Sequence, residues 1–181
     1  MTSSMTIRPL HTDDDLTMLT DLIHRAYAHH LACGLRYWGT YQSVEDTAKR
    51  FASGQGLVAE VEGQIVGTVT VRSSKSNALV PAYRDPGTWT ITQFAVAPSH
   101  RGQGIGALLH EHAMRHAASW GASRMALDTA SPATKVIEMY ERWGYRVCGE
   151  CDWRPVTNYM SVVMVRDLDP IAISSMLPTS S

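Results

Sequence analysis

Residues 101–106 read Arg-Gly-Gln-Gly-Ile-Gly and stand directly before a stretch of helical periodicity. The first amides of a helix have no partner inside the helix, and the helix dipole adds partial positive charge there. Because alternating glycines leave the backbone open to a ligand, this segment predicts an anion site that suits phosphate groups. Arg101 would add a charged contact to such a group. The alternative is a glycine-rich connection that binds nothing.

Two known phosphate-binding loops fit this segment less well. A P-loop ends in Gly-Lys-Ser or Gly-Lys-Thr, and the segment contains no lysine. Gly102, Gly104 and Ala107 fit the spacing of a dinucleotide fingerprint, in which Asp128, 21 residues beyond Ala107, would bind a ribose hydroxyl. That fingerprint needs a tight turn after its strand, whereas residues 98–101 separate the strand from the glycines here. A nicotinamide cofactor is therefore disfavoured.

Hydrophobic periodicity predicts the elements that must position this segment. Strands are predicted at Ile7–Leu10, Leu57–Val61, Ile65–Val71, Trp89–Val96, Arg124–Leu127, Tyr145–Cys148 and Tyr159–Val165. Helices are predicted after a cap at Thr12, at Val44–Phe51, between Ile105 and Trp120, and after a cap at Ser131-Pro132. Hairpin turns imply antiparallel strands, whereas the two strand–helix units imply parallel pairing. The pattern as a whole predicts a mixed sheet with helices on both faces.

The composition excludes several classes of protein. Among 181 residues, 16 Lys and Arg oppose 17 Asp and Glu, which gives a formal charge of −1. Proteins that bind nucleic acid or an anionic membrane usually carry a basic excess, so we expect neither partner. Residues 1–8 lack the apolar stretch of a signal peptide, and the longest apolar runs are too short to span a membrane. These features predict a cytoplasmic protein.

The cysteines predict neither a disulfide framework nor a metal site. Their count of three is odd, and Cys148 and Cys151 form a lone Cys-x-x-Cys within a predicted strand. A zinc site would need two further ligands, for which Cys33 is an isolated candidate. We therefore expect ordinary thiols and no bound metal.

Two motifs and the strand before them resemble the GCN5-related N-acetyltransferase (GNAT) family. Residues 101–106 match its Q/R-x-x-G-x-G/A signature. Residues 139–145, Met-Tyr-Glu-Arg-Trp-Gly-Tyr, are similar to its Y-E-x-x-G-F/Y segment. Residues 94–98 resemble the family's fourth strand and its exit, and the order of elements agrees from Thr6 to Leu168.

The resemblance implies a fold and a domain organisation. The fold would be α/β of the mixed α+β kind, with a central, mostly antiparallel twisted sheet of six to seven strands flanked by about four helices. One acetyltransferase domain would cover residues 1–168, and residues 169–181 would form a flexible tail.

The resemblance also implies an activity, the acetyl-CoA-dependent transfer of an acetyl group to a primary amine of a small molecule or a protein. The amine would attack the thioester directly, with the Val96 amide polarising the acetyl carbonyl. Tyr140 would protonate the leaving thiolate, unless it only packs in the core. The loop would hold the pyrophosphate and the fourth strand the pantetheine arm. The cofactor-binding residues so implied are Phe94, Ala95, Val96, Arg101, Gly102, Gln103, Gly104, Ile105, Gly106 and Ala107.

The sequence departs from the family at the expected base. Many relatives carry a glutamate on the fourth strand, whereas residues 90–93 read Thr-Ile-Thr-Gln. The family's asparagine seven residues before the tyrosine is Ala133 here, and Ser131 or Thr134 would replace it. The departure keeps open an acyl-CoA-binding or sensor protein with little catalysis. The remaining candidates for the base are a water chain, Asp128, Glu60, His29 and His30.

Aromatic side chains and histidines are dense where the family places its acceptor. The acceptor-binding candidates are Tyr27, His30, Trp38 and Tyr159. Their density suits a small, partly apolar amine. Alternatively, these rings pack in the core or at the surface of a homodimer, which the sequence leaves open.

Overall fold

The computed structural model describes residues 5–169, so most of the predicted flexible tail lies outside the described residues. The strands are β1 (Met5–Pro9), β2 (Gln55–Val61), β3 (Gln64–Arg72), β4 (Thr88–Val96), β5 (Arg124–Ala130), β6 (Arg146–Asp152) and β7 (Met160–Asp167). The helices are α1 (Leu16–Ala32), α2 (Val44–Ala52), α3 (Ile105–Ser119) and α4 (Thr134–Arg142). No helix within the described range is long and apolar enough to cross a membrane.

The strands form one mixed sheet in the order β1-β2-β3-β4-β5-β7-β6. Neighbouring strands are antiparallel except for β4 and β5, which are parallel. The predicted mixed, mostly antiparallel sheet with flanking helices is confirmed. Only one of the two strand–helix units gives a parallel pair, because β7 inserts between β5 and β6.

The one parallel pair is also the place where the sheet opens. β4 and β5 pair only at their starts, from Thr88 opposite Arg124 to Thr90 opposite Ala126. Beyond these residues the two strands separate. The gap exposes the backbone edge of β4 at the level of residues 91–96, which is where an extended ligand can lie against a strand.

A bulge in β4 lies beside this gap. Thr68 of β3 pairs with Ala95 and Thr70 pairs with Thr92, so β4 has one residue more than β3 in this stretch. Gln93 accommodates the extra residue with a left-handed φ of 50°. The bulge places Gln93 on the same side of the sheet as Thr92 and bends the strand locally.

The helices divide between the two faces of the sheet. On one face, Leu109 of α3 packs in a buried cluster with Ile91 of β4 and Leu127 of β5. On the other face, Ala95 of β4 packs against Ile23 of α1. Side chains alternate along a strand, and hydrogen bonds from Gln42 and from Arg50 of α2 reach β4 on the face opposite α3. The α1 side of the sheet therefore carries the side chains of Thr70, Arg72, Thr92, Gln93 and Asp128.

Two predicted helix caps are wrong. Helix α1 is capped by Asp15, whose carboxylate accepts from the Thr17 and Met18 amides, and not by Thr12. Helix α4 starts after Ala133 without a side-chain cap. The Ser131 hydroxyl instead donates to the Met160 carbonyl of β7 at 2.7 Å, which anchors the turn after β5 to the sheet.

Candidate active site

A cavity of ≈ 820 Å³ lies where β4 and β5 separate. It is lined from both faces of the sheet, and exposed residues border it at each end, Gly102 and Gly104 on the α3 side and Trp38 and Val156 on the α1 side. All the site residues predicted from the sequence line it except Gln103, which is exposed. These lining residues are Tyr27, His30, Trp38, Phe94, Ala95, Val96, Arg101, Gly102, Gly104, Ile105, Gly106, Ala107, Tyr140 and Tyr159.

Residues 101–106, which we call the glycine loop, present a row of backbone donors without partners. Gly102 and Gly104 adopt left-handed φ values of 75° and 79°, which L side chains rarely take. The N–H groups of residues 102–107, which we call the loop amides, bond to no other described residue, and the first bonded amide is that of Leu108. A row of free N–H groups at a helix start is the arrangement that binds a phosphate group. The loop therefore fits the pyrophosphate of a CoA ligand.

Arg101 has a structural contact in addition to its place at the cavity. Its guanidinium donates a hydrogen bond to the Ala26 carbonyl of α1. This bond holds the loop against α1 and uses one of the five guanidinium donors. Arg101 also lines the cavity, and its remaining donors bond to no residue that the structure describes.

The Tyr27 hydroxyl serves β4. It donates to the Phe94 carbonyl at 3.0 Å, just past the bulge. Burial raises the pKa of Tyr27 to about 12, so the hydroxyl stays protonated. Tyr27 therefore fixes the open strand edge, and only its ring is left to contact a ligand.

Tyr140 of α4 presents an unused hydroxyl to the cavity. Its ring is 8% exposed and packs edge-on against Trp143 and Tyr145, with centroids 5.7 and 5.6 Å away. The hydroxyl makes no hydrogen bond to any residue that the structure describes. Burial raises the pKa of Tyr140 well above its usual value, so it is a neutral donor without a partner.

The structure separates the four side chains that the sequence proposes as bases. Glu60 lies outside the cavity lining, in an ion pair with Arg8 at 2.9 Å. Burial, with the charges of His29 and Arg101, lowers the pKa of His30 to about 4, which makes it a weak base. His29 contacts the Ala26 carbonyl through Nδ1 at 3.0 Å, and burial lowers its pKa as well.

Asp128, the fourth candidate, lines the cavity on the α1 side. Its two oxygens accept from the Tyr83 hydroxyl at 2.7 Å and from the Trp153 indole at 2.8 Å. Burial raises its pKa above the usual 3.8, although these hydrogen bonds and the fields of Arg72 and Arg50 act in the opposite direction. Asp128 is thus an oriented carboxylate with a raised proton affinity.

Gln93 stands on the strand where the family often has a glutamate, and it is held in a buried amide chain. Its oxygen accepts from Gln42 at 2.7 Å and its amide donates to Thr70 at 3.2 Å. An amide held in this way supplies no base. The predicted substitutes for the missing asparagine, Ser131 and Thr134, do not line the cavity.

Three charged or polar residues of the cavity lining have no motif that predicts them. Arg50 comes from α2, Arg72 from the end of β3, and Tyr83 from the segment between β3 and β4. They converge only after folding. The one signal in the sequence is that Arg72 directly follows the predicted apolar strand Ile65–Val71. Cys148 and Cys151 lie on β6, and the described residues contain no cluster of metal ligands.

The sequence is similar to those of known acetyltransferases. Residues 17–145 match the acetyltransferase (GNAT) family. The S-(2-succino)cysteine N-acetyltransferase of Bacillus subtilis is 29% identical over 168 residues, covering 88% of this chain and 96% of that protein. The S-alkylcysteine N-acetyltransferase of the same organism is 24% identical over 141 residues, covering 76% of this chain and 77% of that protein.

A solved structure shares the fold. The GNAT family acetyltransferase from Elizabethkingia anophelis, crystallised with acetyl-CoA bound, superposes with a TM-score of 0.64 at 17% identity, covering 91% of this chain and 98% of that one. The family match spans 129 of 181 residues and includes β4, the glycine loop and α4. The chain therefore belongs to the GNAT family of acetyltransferases.

Proposed function

We propose that this protein transfers the acetyl group of acetyl-CoA to a primary amine of a small molecule, by direct attack of the amine on the thioester. The observation that carries the proposal is the cavity between β4 and β5, which joins the loop amides, the free Tyr140 hydroxyl and the Asp128 carboxylate. The cysteine-derivative acetyltransferases among its relatives support a small acceptor rather than a protein.

The binding of acetyl-CoA is assigned to the loop and to β4. The loop amides and Arg101 take the pyrophosphate, because they supply free donors and positive charge at one helix start. The backbone of Phe94, Ala95 and Val96 takes the pantetheine arm along the open edge of β4. An amide of this strand, at Val96, polarises the acetyl carbonyl.

Two side chains handle the protons. Asp128 binds the ammonium form of the acceptor and accepts a proton from it, since burial has raised its pKa. The neutral amine then forms the new C–N bond as the C–S bond breaks, and the nitrogen releases its second proton to solvent. Tyr140 donates its proton to the departing thiolate and is reprotonated from solvent.

The proposal extends to the setting of the protein. We propose one acetyltransferase domain over residues 1–168 and a cytoplasmic location. We also propose that the protein has no nucleic acid or membrane partner, because its positive and negative side chains are balanced. A homodimer is consistent with β6, an edge strand whose residues are mostly exposed. Light scattering on the purified protein tests the dimer.

The test of the activity combines binding with turnover. The protein is incubated with acetyl-CoA and a panel of primary amines that includes S-alkylcysteines, polyamines and a peptide N-terminus, and thiol release is followed over time. We expect amine-dependent thiol release with an acetylated product for small amines. Tight binding of acetyl-CoA without amine-dependent thiol release would instead identify an acyl-CoA-binding or sensor protein.

A further inference from the structure

Two arginines and one carboxylate face the cavity on the α1 side of the sheet. Arg50 of α2 and Arg72 of β3 line the same cavity as Asp128, and both lower the pKa of Asp128 through their fields. Within residues 5–169, neither arginine forms an ion pair with any acidic residue. This end of the cavity therefore carries an excess of positive charge beside a single negative group.

Arg72 is the less satisfied of the two arginines. Its guanidinium has five N–H donors, and none of them bonds to a residue that the structure describes. The side chain is half-buried at the end of β3, so water reaches it only in part. A sheltered guanidinium without a partner is costly, and an anionic ligand would offset that cost.

Arg50 is held rigidly, with donors to spare. It donates to the Gln42 side chain at 2.5 Å and to the Thr92 hydroxyl, and its guanidinium lies 4.6 Å from the centre of the Trp38 ring. Burial lowers the pKa of Arg50 to about 10, which leaves the side chain charged at neutral pH. Its remaining N–H groups are thus oriented in advance, which limits the entropy lost when a ligand binds.

The phosphates of acetyl-CoA do not account for these arginines. The glycine loop follows the end of β4, after Val96, whereas Arg72 pairs with Thr90 near the start of that strand and Arg50 bonds to Thr92. An anionic group that binds these two arginines would therefore belong to the amine acceptor. A guanidinium fork matches the two oxygens of a carboxylate, and the nearby Asp128 matches an ammonium group.

We propose that the acceptor is an amino acid whose carboxylate binds Arg72 and Arg50 while its α-amine faces Asp128. The proposal rests on the proposed function, and it names the substrate class of the same site. Arg72 provides the main carboxylate contact, since all its donors are free. Arg50 provides the second positive charge and borders the space for the acceptor's side chain, next to Trp38.

A series of three acceptors isolates the carboxylate. S-ethyl-L-cysteine, its methyl ester and 2-(ethylthio)ethylamine share the thioether and the primary amine, and only the first carries a carboxylate. Initial rates with acetyl-CoA are compared over a range of pH, which separates differences in the basicity of the three amines from the effect of the carboxylate. A hydrogen bond to a charged group contributes about 1.5–3 kcal/mol, so we expect the amino acid to be preferred about 10- to 100-fold in kcat/KM.

Variants assign the preference to Arg72. In Arg72→Gln the preference for the amino acid is expected to fall to within about threefold, mainly through a higher KM, and Arg72→Lys is expected to restore part of it. Lys49→Gln is the matched control, since it removes an exposed positive charge next to Arg50 on α2. Its preference is expected to equal that of the wild type. Acetyl-CoA binding is measured for each variant to verify folding.

The outcomes separate this inference from the proposed function. Equal rates with all three acceptors would overturn the carboxylate site and leave the acetyltransferase intact. An unchanged preference in a folded Arg72→Gln variant would overturn the role of Arg72. Bound acetyl-CoA without acetylation of any amine would overturn the proposed function itself.

Discussion

At the scale of single residues, burial decides what each group of the cavity can do. Tyr140 and Tyr145 are neighbouring buried tyrosines, yet Tyr145 hydrogen-bonds His110 at 2.7 Å whereas Tyr140 has no partner among the described residues. Only Tyr140 lines the cavity. The same ring chemistry is therefore structural in one case and available for catalysis in the other.

This contrast gives a matched pair of variants. Tyr140→Phe is expected to lower kcat by about 10- to 1000-fold with little change in acetyl-CoA affinity, because it removes the proton donor and no internal hydrogen bond. Tyr145→Phe, the control, is expected to keep kcat and to lose about 1–3 kcal/mol of stability, since it leaves His110 unpaired. Steady-state kinetics and thermal unfolding measure both. Unchanged turnover in Tyr140→Phe would return this residue to the core.

Asp128 has a pH dependence of a definite sign. Its pKa is raised above 3.8 by burial, so kcat/KM is expected to rise with pH through that raised pKa as the carboxylate loses its proton. Asp128→Asn is expected to remove this acidic limb and to lower kcat/KM by about 10²- to 10⁴-fold at neutral pH. Rate profiles with an amine that stays protonated throughout the range measure both effects. A limb that persists in the variant would assign it to another group.

How much of the site the sequence predicts depends on whether residues are neighbours in the chain. The loop and Tyr140 sit in contiguous motifs, and the structure places both at the cavity. Asp128 is one of four side chains proposed as the base, and only geometry separates it from Glu60. Arg72 and Tyr83 come from segments without any motif, so no spacing along the chain predicts that they line the cavity.

At the scale of elements, tertiary contacts decide boundaries that local patterns leave open. Residues 12–15 offer four capping side chains in a row, Thr-Asp-Asp-Asp. Arg8 of β1 binds Asp14 through two hydrogen bonds of 2.9 Å, and Asp15 is left to cap α1. The cap at Thr12 fails because a contact from another element selects among equivalent local choices.

The glycine loop allows a test in which strain is separated from binding. Gly104 and Gly63 have nearly the same left-handed φ, 79° and 78°, and nothing lies within 4 Å of a Cβ built on either. Valine at each position is expected to cost about 1–2 kcal/mol of stability through backbone strain. Only Gly104→Val is expected to weaken acetyl-CoA binding, by about tenfold or more, because it distorts the loop amides.

Calorimetric titration with CoA and chemical unfolding provide the two readouts. Equal losses of CoA affinity in Gly104→Val and in Gly63→Val, a hairpin variant, would show that general destabilisation rather than the loop sets the affinity.

At the scale of the whole molecule, the sequence predicts the layers better than the order of strands. Hairpins and strand–helix units follow from local periodicity, and the mixed sheet with helices on both faces is confirmed. The insertion of β7 between β5 and β6 is a pairing of distant segments, which no local pattern encodes. The gap between β4 and β5, which creates the cavity, likewise follows from where pairing stops.

The stability of the whole fold is expected to depend on pH through His110. This residue is 3% exposed, and burial, with the charge of Arg166, lowers its pKa to about 4 from the usual 6.5. Below pH 6.5 the imidazole of His110 is protonated in the unfolded chain but stays neutral in the folded protein. The free energy of unfolding therefore falls as the pH is lowered to about 4. The shift corresponds to about 3 kcal/mol.

His110→Gln keeps a hydrogen-bonding group opposite Tyr145 and removes the titration. We expect denaturant unfolding at pH 7.5 and pH 4 to show a smaller loss of stability in this variant, by about 3 kcal/mol. Other histidines with lowered pKa values contribute equally to both proteins, so the difference isolates His110. Equal losses would mean that His110 takes up the same number of protons in the folded and unfolded states.

Residues from both faces of the sheet line the cavity, and this arrangement predicts a kinetic mechanism. Exposed residues border it at both ends, so we expect each reactant to have its own entrance and neither to have to leave before the other arrives. A ternary complex can then assemble in either sequence. Double-reciprocal plots should intersect rather than run parallel, and CoA and the acetylated product should leave by opposite sides. Because both reactants can be bound at the same time, the transfer needs no covalent acyl-enzyme intermediate.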